Sequence, residues 1–171
     1  KQYSTSSGTD SCTITYNLKT GKEIYRVNHS DEVMNIQYSP SGNKIGVILS
    51  NTVQLIDSSN GNIIGELSHD ERISSLQFCS DGSYIATSSD DNSIKIWDSI
   101  TCQCVYVITH NQNDAIYVSF SPNSKYIVTA SYDKTAKLYR FWPVQALIEK
   151  CKGIINNYEL PDENKHNYYL Q

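Results

Sequence analysis

The chain has 171 residues, of which 39% are hydrophobic and 19% charged, and its formal net charge at pH 7 is −4. A groove that binds nucleic acid needs clustered cations, so this acidic balance argues against a nucleic-acid partner. No apolar run reaches the roughly 20 residues that a membrane-spanning helix needs, so we expect a soluble segment without a membrane partner. Five cysteines without a framework spacing predict reduced thiols, and therefore a cytoplasmic protein.

Short strands separated by turn residues follow one another along most of the chain. Strands are predicted first at Cys12–Asn17 and at residues 23–27. Two pairs come next, each an apolar strand followed by a strand of alternating polarity: residues 45–49 with Thr52–Asp57, and residues 84–87 with Ser93–Asp98. A further pair lies at residues 126–129 and 135–140. Because this alternation has the period of a half-buried strand, the sequence predicts an all-β fold.

The strands belong to an internal repeat. His29, His69 and His110 are spaced by 40 and 41 residues, and Asp57 precedes Asp98 by 41. Each histidine is followed by an apolar stretch and a turn, such as Tyr38-Ser-Pro-Ser-Gly. Four short strands in a period of about 40 to 45 residues are typical of one blade of a β-propeller.

The best copy of the repeat runs from His69 to Asp98 and ends in SSDDNSIKIWD. On this motif the sequence resembles the WD-repeat β-propellers, over residues 1–142. The neighbouring copies depart from the family pattern, because Ile56 and Tyr139 stand where the family usually has tryptophan.

The resemblance implies about three and a half blades. In this family, the strand after each Trp-Asp position completes the outer edge of the preceding blade. Counting strands gives a partial blade at residues 1–28, two complete blades, and a last blade without its outer strand. A propeller ring closes with about four to eight blades. Since the chain begins with Lys1 rather than methionine, we expect upstream blades of the same, longer polypeptide to supply the rest.

The resemblance also implies a buried hydrogen-bonded chain in each blade. Its members are His69, Thr87, Asp91 and Trp97 in the best copy, and His110, Thr129 and Asp133 in the next. The alternative is a catalytic set of histidine, aspartate and hydroxyl, which would need an exposed nucleophile beside its base. The structural interpretation is preferred, so no catalytic residue is assigned.

Cys102 and Cys104, with His110 six residues further on, raise the alternative of a zinc site. Zinc in proteins takes four ligands, and the sequence offers no fourth one here. Packing of the two thiols on an outer strand is the preferred interpretation, with no metal and no cofactor predicted.

A rim of loops is the expected binding surface, because function concentrates on loops that a rigid scaffold presents. The family resemblance places the partner-binding positions just after each histidine loop. These candidates are Glu32, Met34, Arg72, Ser74, Asp114 and Ile116. Their mixed charge and two apolar side chains favour a protein or peptide partner.

The last residues have helical rather than strand periodicity. Apolar side chains from Val144 to Cys151 predict an amphipathic helix at residues 143–152, and Leu160-Pro-Asp-Glu marks the start of a second helix. We therefore expect a helical C-terminal extension at residues 143–171. This tail resembles, more weakly, the end of the sensor propellers of bacterial STAND-type NTPases.

The sequence as a whole predicts a non-enzymatic protein–protein recognition module, the partner-sensing or scaffold region of a larger multidomain protein. One alternative is a static scaffold or substrate receptor of a eukaryotic-type complex without a coupled NTPase. A second alternative is an enzyme that uses loop carboxylates.

Overall fold

A computed structural model describes residues 2–7, 11–109, 115–143, 147–148 and 151–152, and it describes the side chains of residues 11–109, 117–143, 147–148 and 151–152. The chain divides into two compact units, Lys1–Arg140 and Phe141–Gln171. Among the described residues, no helix is long and apolar enough to cross a membrane.

The first unit is built of fourteen β-strands in four antiparallel sheets. Sheet 1 contains β1 (Gln2–Ser7), β2 (Cys12–Asn17) and β3 (Lys22–Asn28). Sheet 2 contains β4 (Asn35–Tyr38), β5 (Lys44–Ile48), β6 (Thr52–Asp57) and β7 (Ile63–Ser68). Sheet 3 contains β8 (Ile73–Phe78), β9 (Tyr84–Ser89), β10 (Ser93–Asp98) and β11 (Cys104–Thr109). Sheet 4 contains β12 (Ala115–Phe120), β13 (Tyr126–Ser131) and β14 (Ala136–Arg140).

The middle strands of sheets 2 and 3 are buried almost throughout, because sheets cover them on both faces. Ile45, Val53, Leu55, Ile85 and Ile94 have no exposed surface. Strands buried on both faces lose the alternation of polar and apolar residues and become continuously apolar. The core therefore lies between the sheets, in clusters that join side chains from consecutive sheets.

The strand order agrees with the strand count from the sequence. The strand that follows Asp57 pairs with β6, and the strand that follows Asp98 pairs with β10, so each completes the sheet before it. Sheets 2 and 3 have four strands each, whereas sheets 1 and 4 have three among the described residues. Within the part of the chain that the structure describes, sheet 1 has no inner strand equivalent to β4, β8 and β12, and sheet 4 has no outer strand equivalent to β7 and β11.

Consecutive sheets are bonded to each other. Tyr25 Oη in sheet 1 donates to the Ser58 carbonyl at 3.0 Å, after the third strand of sheet 2. The Ile73 N–H at the start of sheet 3 donates to the Ser50 carbonyl at 2.9 Å. In sheet 4, the Val118 N–H donates to Ser75 Oγ of sheet 3 at 3.1 Å. These bonds fix the sheets as neighbours in chain order.

Antiparallel pairing places the loops at two opposite edges. The histidine loops between sheets lie at the same edge as the hairpins β5–β6, β9–β10 and β13–β14. We call this edge the upper rim, and its described loops are residues 29–34, 49–51, 69–72, 90–92 and 132–135. The remaining turns form the lower rim, at residues 18–21, 39–43, 58–62, 79–83, 99–103 and 121–125.

The predicted helical extension lies mostly outside the described residues. Residues 147–148 and 151–152 have helical backbone, and the Leu147 N–H donates to the Pro143 carbonyl at 3.0 Å, as in one turn of an α-helix. The second predicted helix, which starts near Leu160, falls outside the described residues.

Candidate protein-binding rim and its histidine network

His69 lies at the centre of a buried chain of hydrogen bonds in sheet 3. Its Nδ1 is 2.8 Å from Asp91 Oδ2, and its Nε2 is 2.7 Å from Thr87 Oγ1. The Trp97 indole N–H donates to the same hydroxyl at 2.8 Å. An ionised carboxylate can only accept, so Asp91 accepts from His69 Nδ1–H, and a neutral His69 then accepts from the Thr87 hydroxyl at Nε2.

Burial and hydrogen bonding shift the pKa values of His69 and Asp91 in this hydrogen-bonded network. Burial lowers the pKa of His69 below its usual value of 6.5, although the hydrogen bond to Asp91 opposes this shift. Burial alone would raise the pKa of Asp91, but hydrogen bonds from Ser93 and His69 lower it below its usual value. Neutral His69 beside an ionised Asp91 is therefore the favoured state at neutral pH.

The arrangement braces the sheet and offers no exposed nucleophile. His69 is only 3% exposed and Thr87 is fully buried, so no substrate can reach this hydroxyl without unfolding the sheet. Asp91 also accepts bonds from the Ser93 backbone N–H at 2.8 Å and from the Ser93 hydroxyl at 2.5 Å, which fixes the β9–β10 hairpin. Buried polar groups need such partners, and a fully satisfied network rigidifies its surroundings.

The equivalent histidine of sheet 2 makes different bonds. Val47 stands opposite Gln54 as Thr87 stands opposite Lys95, so sheet 2 has no hydroxyl for His29. His29 Nε2 instead lies 2.8 Å from Thr13 Oγ1 of sheet 1, and its Nδ1 lies 2.7 Å from Gln54 Oε1. His29 thus bonds two sheets to each other. The contact between His29 and Thr13 was not predicted from the sequence. Its one indication in the sequence is that Thr13 occupies a position that is apolar in the next two copies of the repeat.

The third copy is described in part. His110 lies outside the described residues, so its contacts stay a prediction. Thr129 is buried on β13 at 1% exposure. Asp133 lies in the β13–β14 hairpin, where it accepts from the Thr135 backbone N–H at 2.8 Å and from the Thr135 hydroxyl at 2.6 Å. Thr135 thus repeats the role of Ser93 in the hairpin of sheet 3.

The six rim candidates differ in how available they are. Glu32, Met34 and Arg72 are exposed at the upper rim, and Met34 has 43% of its surface accessible. Ser74 is half-buried at the start of β8, where its hydroxyl donates to Asp90 Oδ1 at 2.8 Å. Asp114 lies outside the described residues, and Ile116 belongs to β12 with its side chain not described. The structure therefore brings three exposed candidates together at one edge.

The two cysteines differ from the arrangement expected on one strand. Only Cys104 lies on β11, whereas Cys102 lies in the preceding turn with a φ of 58°. The Cys102 thiol packs against the apolar cluster beside sheet 2, and burial raises its pKa. A raised thiol pKa disfavours the thiolate that binds metal. Within the described residues, no three His, Cys, Asp or Glu side chains are grouped to hold a metal ion.

Two stretches match the family model described as WD domain, G-beta repeat, at residues 61–98 and 102–140. They correspond to most of sheets 3 and 4, together with the strand that completes sheet 2. The chain is a WD40-repeat protein over these residues, and its four sheets are consistent with blades of that family. A second model, described as CXCXC repeat, matches residues 95–105, a stretch with only the two cysteines Cys102 and Cys104.

The chain is related to p21-activated protein kinase-interacting protein 1 and to groucho. It is 32% identical over 135 residues to p21-activated protein kinase-interacting protein 1 of Mus musculus, a match that covers 77% of this chain and 35% of the relative. The p21-activated protein kinase-interacting protein 1-like protein of Danio rerio is 31% identical over 135 residues, with coverages of 78% and 36%. Protein groucho of Drosophila melanogaster is 23% identical over 133 residues, with coverages of 77% and 18%.

These matches bear on the resemblance of the tail to bacterial proteins and on how much of its relatives the chain covers. The relatives are eukaryotic WD40-repeat proteins, and they give no support to the resemblance of the tail to bacterial STAND-type NTPases. The chain also spans only about a third of the length of the p21-activated protein kinase-interacting protein 1 relatives.

Proposed function

We propose that the chain is a non-enzymatic scaffold region that holds a protein partner at its upper rim. The observation that carries the proposal is the set of exposed side chains Glu32, Met34 and Arg72 on loops that leave rigid, mutually bonded sheets. A surface held in place by packing loses little conformational entropy when a partner binds.

The comparisons support the general class of function. One group of relatives is named for interaction with a protein kinase, which indicates protein binding in those proteins. For this chain we propose protein binding of the same general kind, with the identity of the partner left open. The reducing compartment indicated by five free cysteines supports a cytoplasmic location as part of the proposal.

The competing enzymatic function finds no support in the described residues. The histidine with a hydroxyl and a carboxylate in hydrogen-bonding distance is His69, which is buried. The carboxylate of Asp91 is used to hold the hairpin and the histidine.

Site-specific photocrosslinking tests the proposal. A photoreactive phenylalanine analogue replaces Met34 on the upper rim or, as the matched control, Leu18 on the lower rim, which is 63% exposed. We expect the longer polypeptide to form a discrete protein adduct in cells from position 34 and none of the same mass from position 18. Adducts of equal yield from both positions, or none from position 34, would contradict the proposal.

A further inference from the structure

The two rims differ sharply in charge. The described loops of the upper rim carry seven carboxylates and two cations: Asp31, Glu32, Asp70, Glu71, Asp90, Asp91 and Asp133 against Arg72 and Lys134. The lower rim carries one carboxylate, Asp81, and two lysines, Lys19 and Lys125. The negative charge of the sheets' loops is therefore concentrated at one edge, the same edge that holds the exposed binding candidates.

Four of these carboxylates are available to a partner. Asp31, Glu32, Asp70 and Glu71 are exposed on the two loops that precede β4 and β8. The ion pairs recorded among the described residues are Arg26 with Glu23 and His69 with Asp91, so none of the four is neutralised by a neighbouring cation there. Like charges gathered at one edge repel each other, and a cationic partner relieves that repulsion.

A cavity with a mixed polar and apolar lining opens among the inner strands. It has a volume of about 220 Å³ and lies among β4, β5, β8 and β12. Its lining combines polar and apolar residues: Asn35, Ile36, Gln37, Ile48, Ser75, Leu76 and Tyr117. Small-molecule sites usually have about 300 to 1,000 Å³, so this cavity suits a single side chain rather than a cofactor.

The hydrogen bonds beside the cavity differ between the pair of sheets 3 and 4 and the pair of sheets 2 and 3. Between sheets 3 and 4, Ser75 Oγ and Gln77 Oε1 accept the backbone N–H groups of Val118 and Phe120, at 3.1 and 3.2 Å. Gln37 stands 40 residues before Gln77 in the same position of β4, yet its Oε1 has no hydrogen-bond partner among the described residues. Sheets 2 and 3 thus lack a hydrogen bond equivalent to the one that Gln77 makes between sheets 3 and 4, and the cavity lies at this place beside the inner strands.

Exposed aromatic and thioether side chains complete the surface. Tyr132 on the upper rim is 64% exposed and Tyr117 at the cavity is 53% exposed, in addition to Met34. Tyrosine and methionine are enriched in protein interfaces, and a tyrosine ring also attracts a lysine or arginine that lies over its face.

We propose that the upper rim binds an extended basic segment of a protein, in which lysines or arginines pair with the four exposed carboxylates and one apolar side chain enters the cavity. This inference rests on the proposed function, because it names the kind of partner for the same rim. A carboxylate-rich partner is excluded by the charge, and an uncharged apolar segment would leave the acidic loops unpaired.

Binding of designed peptides to the longer polypeptide tests the proposal. The probe is a fluorescent twelve-residue peptide in which one leucine is flanked by four lysines, with glycine and serine elsewhere. Matched peptides carry glutamine or glutamate in place of lysine, and a fourth carries alanine in place of leucine. At low salt we expect the lysine peptide to bind about tenfold more tightly than the glutamine peptide, and this difference to shrink as salt screens the charges.

Variants locate the binding surface. Glu71→Gln on the upper rim should weaken the lysine peptide about threefold and leave the glutamine peptide unchanged, and Asp31→Asn combined with Glu71→Gln should weaken it further. Glu23→Gln removes the same charge from β3, away from the upper rim, and should have no effect. Tyr117→Ala should remove the advantage of leucine over alanine.

The outcomes separate the two proposals. Equal binding of the lysine, glutamine and glutamate peptides would overturn the basic-segment inference, as would equal effects of Glu71→Gln and Glu23→Gln. If the photocrosslink at position 34 still forms in that case, the rim binds a partner of another chemistry and the proposed function stands. If the crosslink is absent as well, both proposals fail.

Discussion

At the scale of single residues, two histidines in equivalent positions of the repeat make different hydrogen bonds. His69 is hydrogen-bonded to Thr87 and Asp91, which both belong to sheet 3 and its hairpin. His29 bonds sheet 1 to sheet 2, because sheet 2 has an apolar valine in place of the threonine. The same residue type at the same position of a repeat thus strengthens either one blade or the joint between two blades, depending on one neighbouring side chain.

Removal of the Thr87 hydroxyl should open sheet 3. Thr87→Val keeps the shape of the side chain but leaves the Trp97 N–H and His69 Nε2 without a partner. An unsatisfied buried polar group costs about 1 to 3 kcal/mol, so hydrogen exchange of the β9 and β10 amides should show opening easier by about that amount. Thr20→Val, at an exposed turn position, is the control and should change little.

Acidification should weaken sheet 3 through His69. Burial lowers the pKa of His69 in the folded chain below 6.5, so the unfolded chain binds the proton more readily. The contribution of neutral His69 to stability is therefore present above about pH 6.5 and is lost as the pH falls through the lower, folded pKa. The pKa of Asp91 is lowered from 3.8, so its contribution is lost only in more acidic solution.

Hydrogen exchange at a series of pH values checks the direction of this effect. After correction for intrinsic exchange rates, the amides of β9 and β10 should become less protected as the pH falls below about 6.5. Constant protection across this range, or greater protection at the acidic end, would show that His69 is not held neutral by burial.

At the scale of the elements, the sequence predicted strands best where the repeat was clear. The predicted strands Thr52–Asp57, Ser93–Asp98 and Cys12–Asn17 have the same bounds in the structure. Strand β1 at Gln2–Ser7 was not predicted individually, because no alternating apolar residues mark it. The prediction that Cys102 lies on the outer strand was wrong. Cys102 has a positive φ and belongs to the turn before β11, although the spacing alone assigns it to that strand.

The candidate site was predictable only in part, for a physical reason. Positions such as Glu32, Met34 and Arg72 follow from the place of each loop in the repeat. The cavity at Gln37 and Tyr117 depends on how three sheets meet, and it brings together residues 80 positions apart in the chain. The bond from His29 to Thr13 depends in the same way on a neighbouring sheet, which no local pattern reports.

Close packing between sheets 2 and 3 gives a test at this scale. A Cβ atom at Gly65 on β7 would lie 2.2 Å from the Cys102 thiol sulfur, so Gly65→Ala should destabilise the joint by about 1 to 3 kcal/mol. Cys102→Gly removes the clashing atom at a position whose positive φ glycine adopts easily. The double variant should therefore recover most of the loss.

Denaturant unfolding of the longer polypeptide, with each substitution alone and with both together, measures the interaction energy between positions 65 and 102. An interaction energy between the two substitutions of about 1 kcal/mol or more is the expected result, since contacting residues are not additive. Additive effects of Gly65→Ala and Cys102→Gly would mean that the turn at Cys102 does not pack against β7.

At the scale of the whole molecule, the sheets end in an uncovered face. Leu138 on β14 is 69% exposed and Val128 on β13 is 40% exposed. Their equivalents in sheet 3, Ile96 and Ala86, are fully buried because sheet 4 covers them. An exposed apolar face beside an edge strand is an aggregation hazard. We therefore expect residues 1–171 to aggregate when expressed alone, which light scattering would reveal.

We propose that further blades of a longer polypeptide cover this face. Cysteine labelling measures that directly, with Cys104 and Cys151 changed to serine to remove the exposed native thiols. Leu138→Cys probes the face, and Ile100→Cys, at a lower-rim position that is 80% exposed, is the control. In the longer polypeptide, we predict that Leu138→Cys reacts with maleimide at least about tenfold more slowly than Ile100→Cys. Equal labelling rates at the two positions would contradict the account, because sheet 4 would then end the structure instead of continuing into a ring.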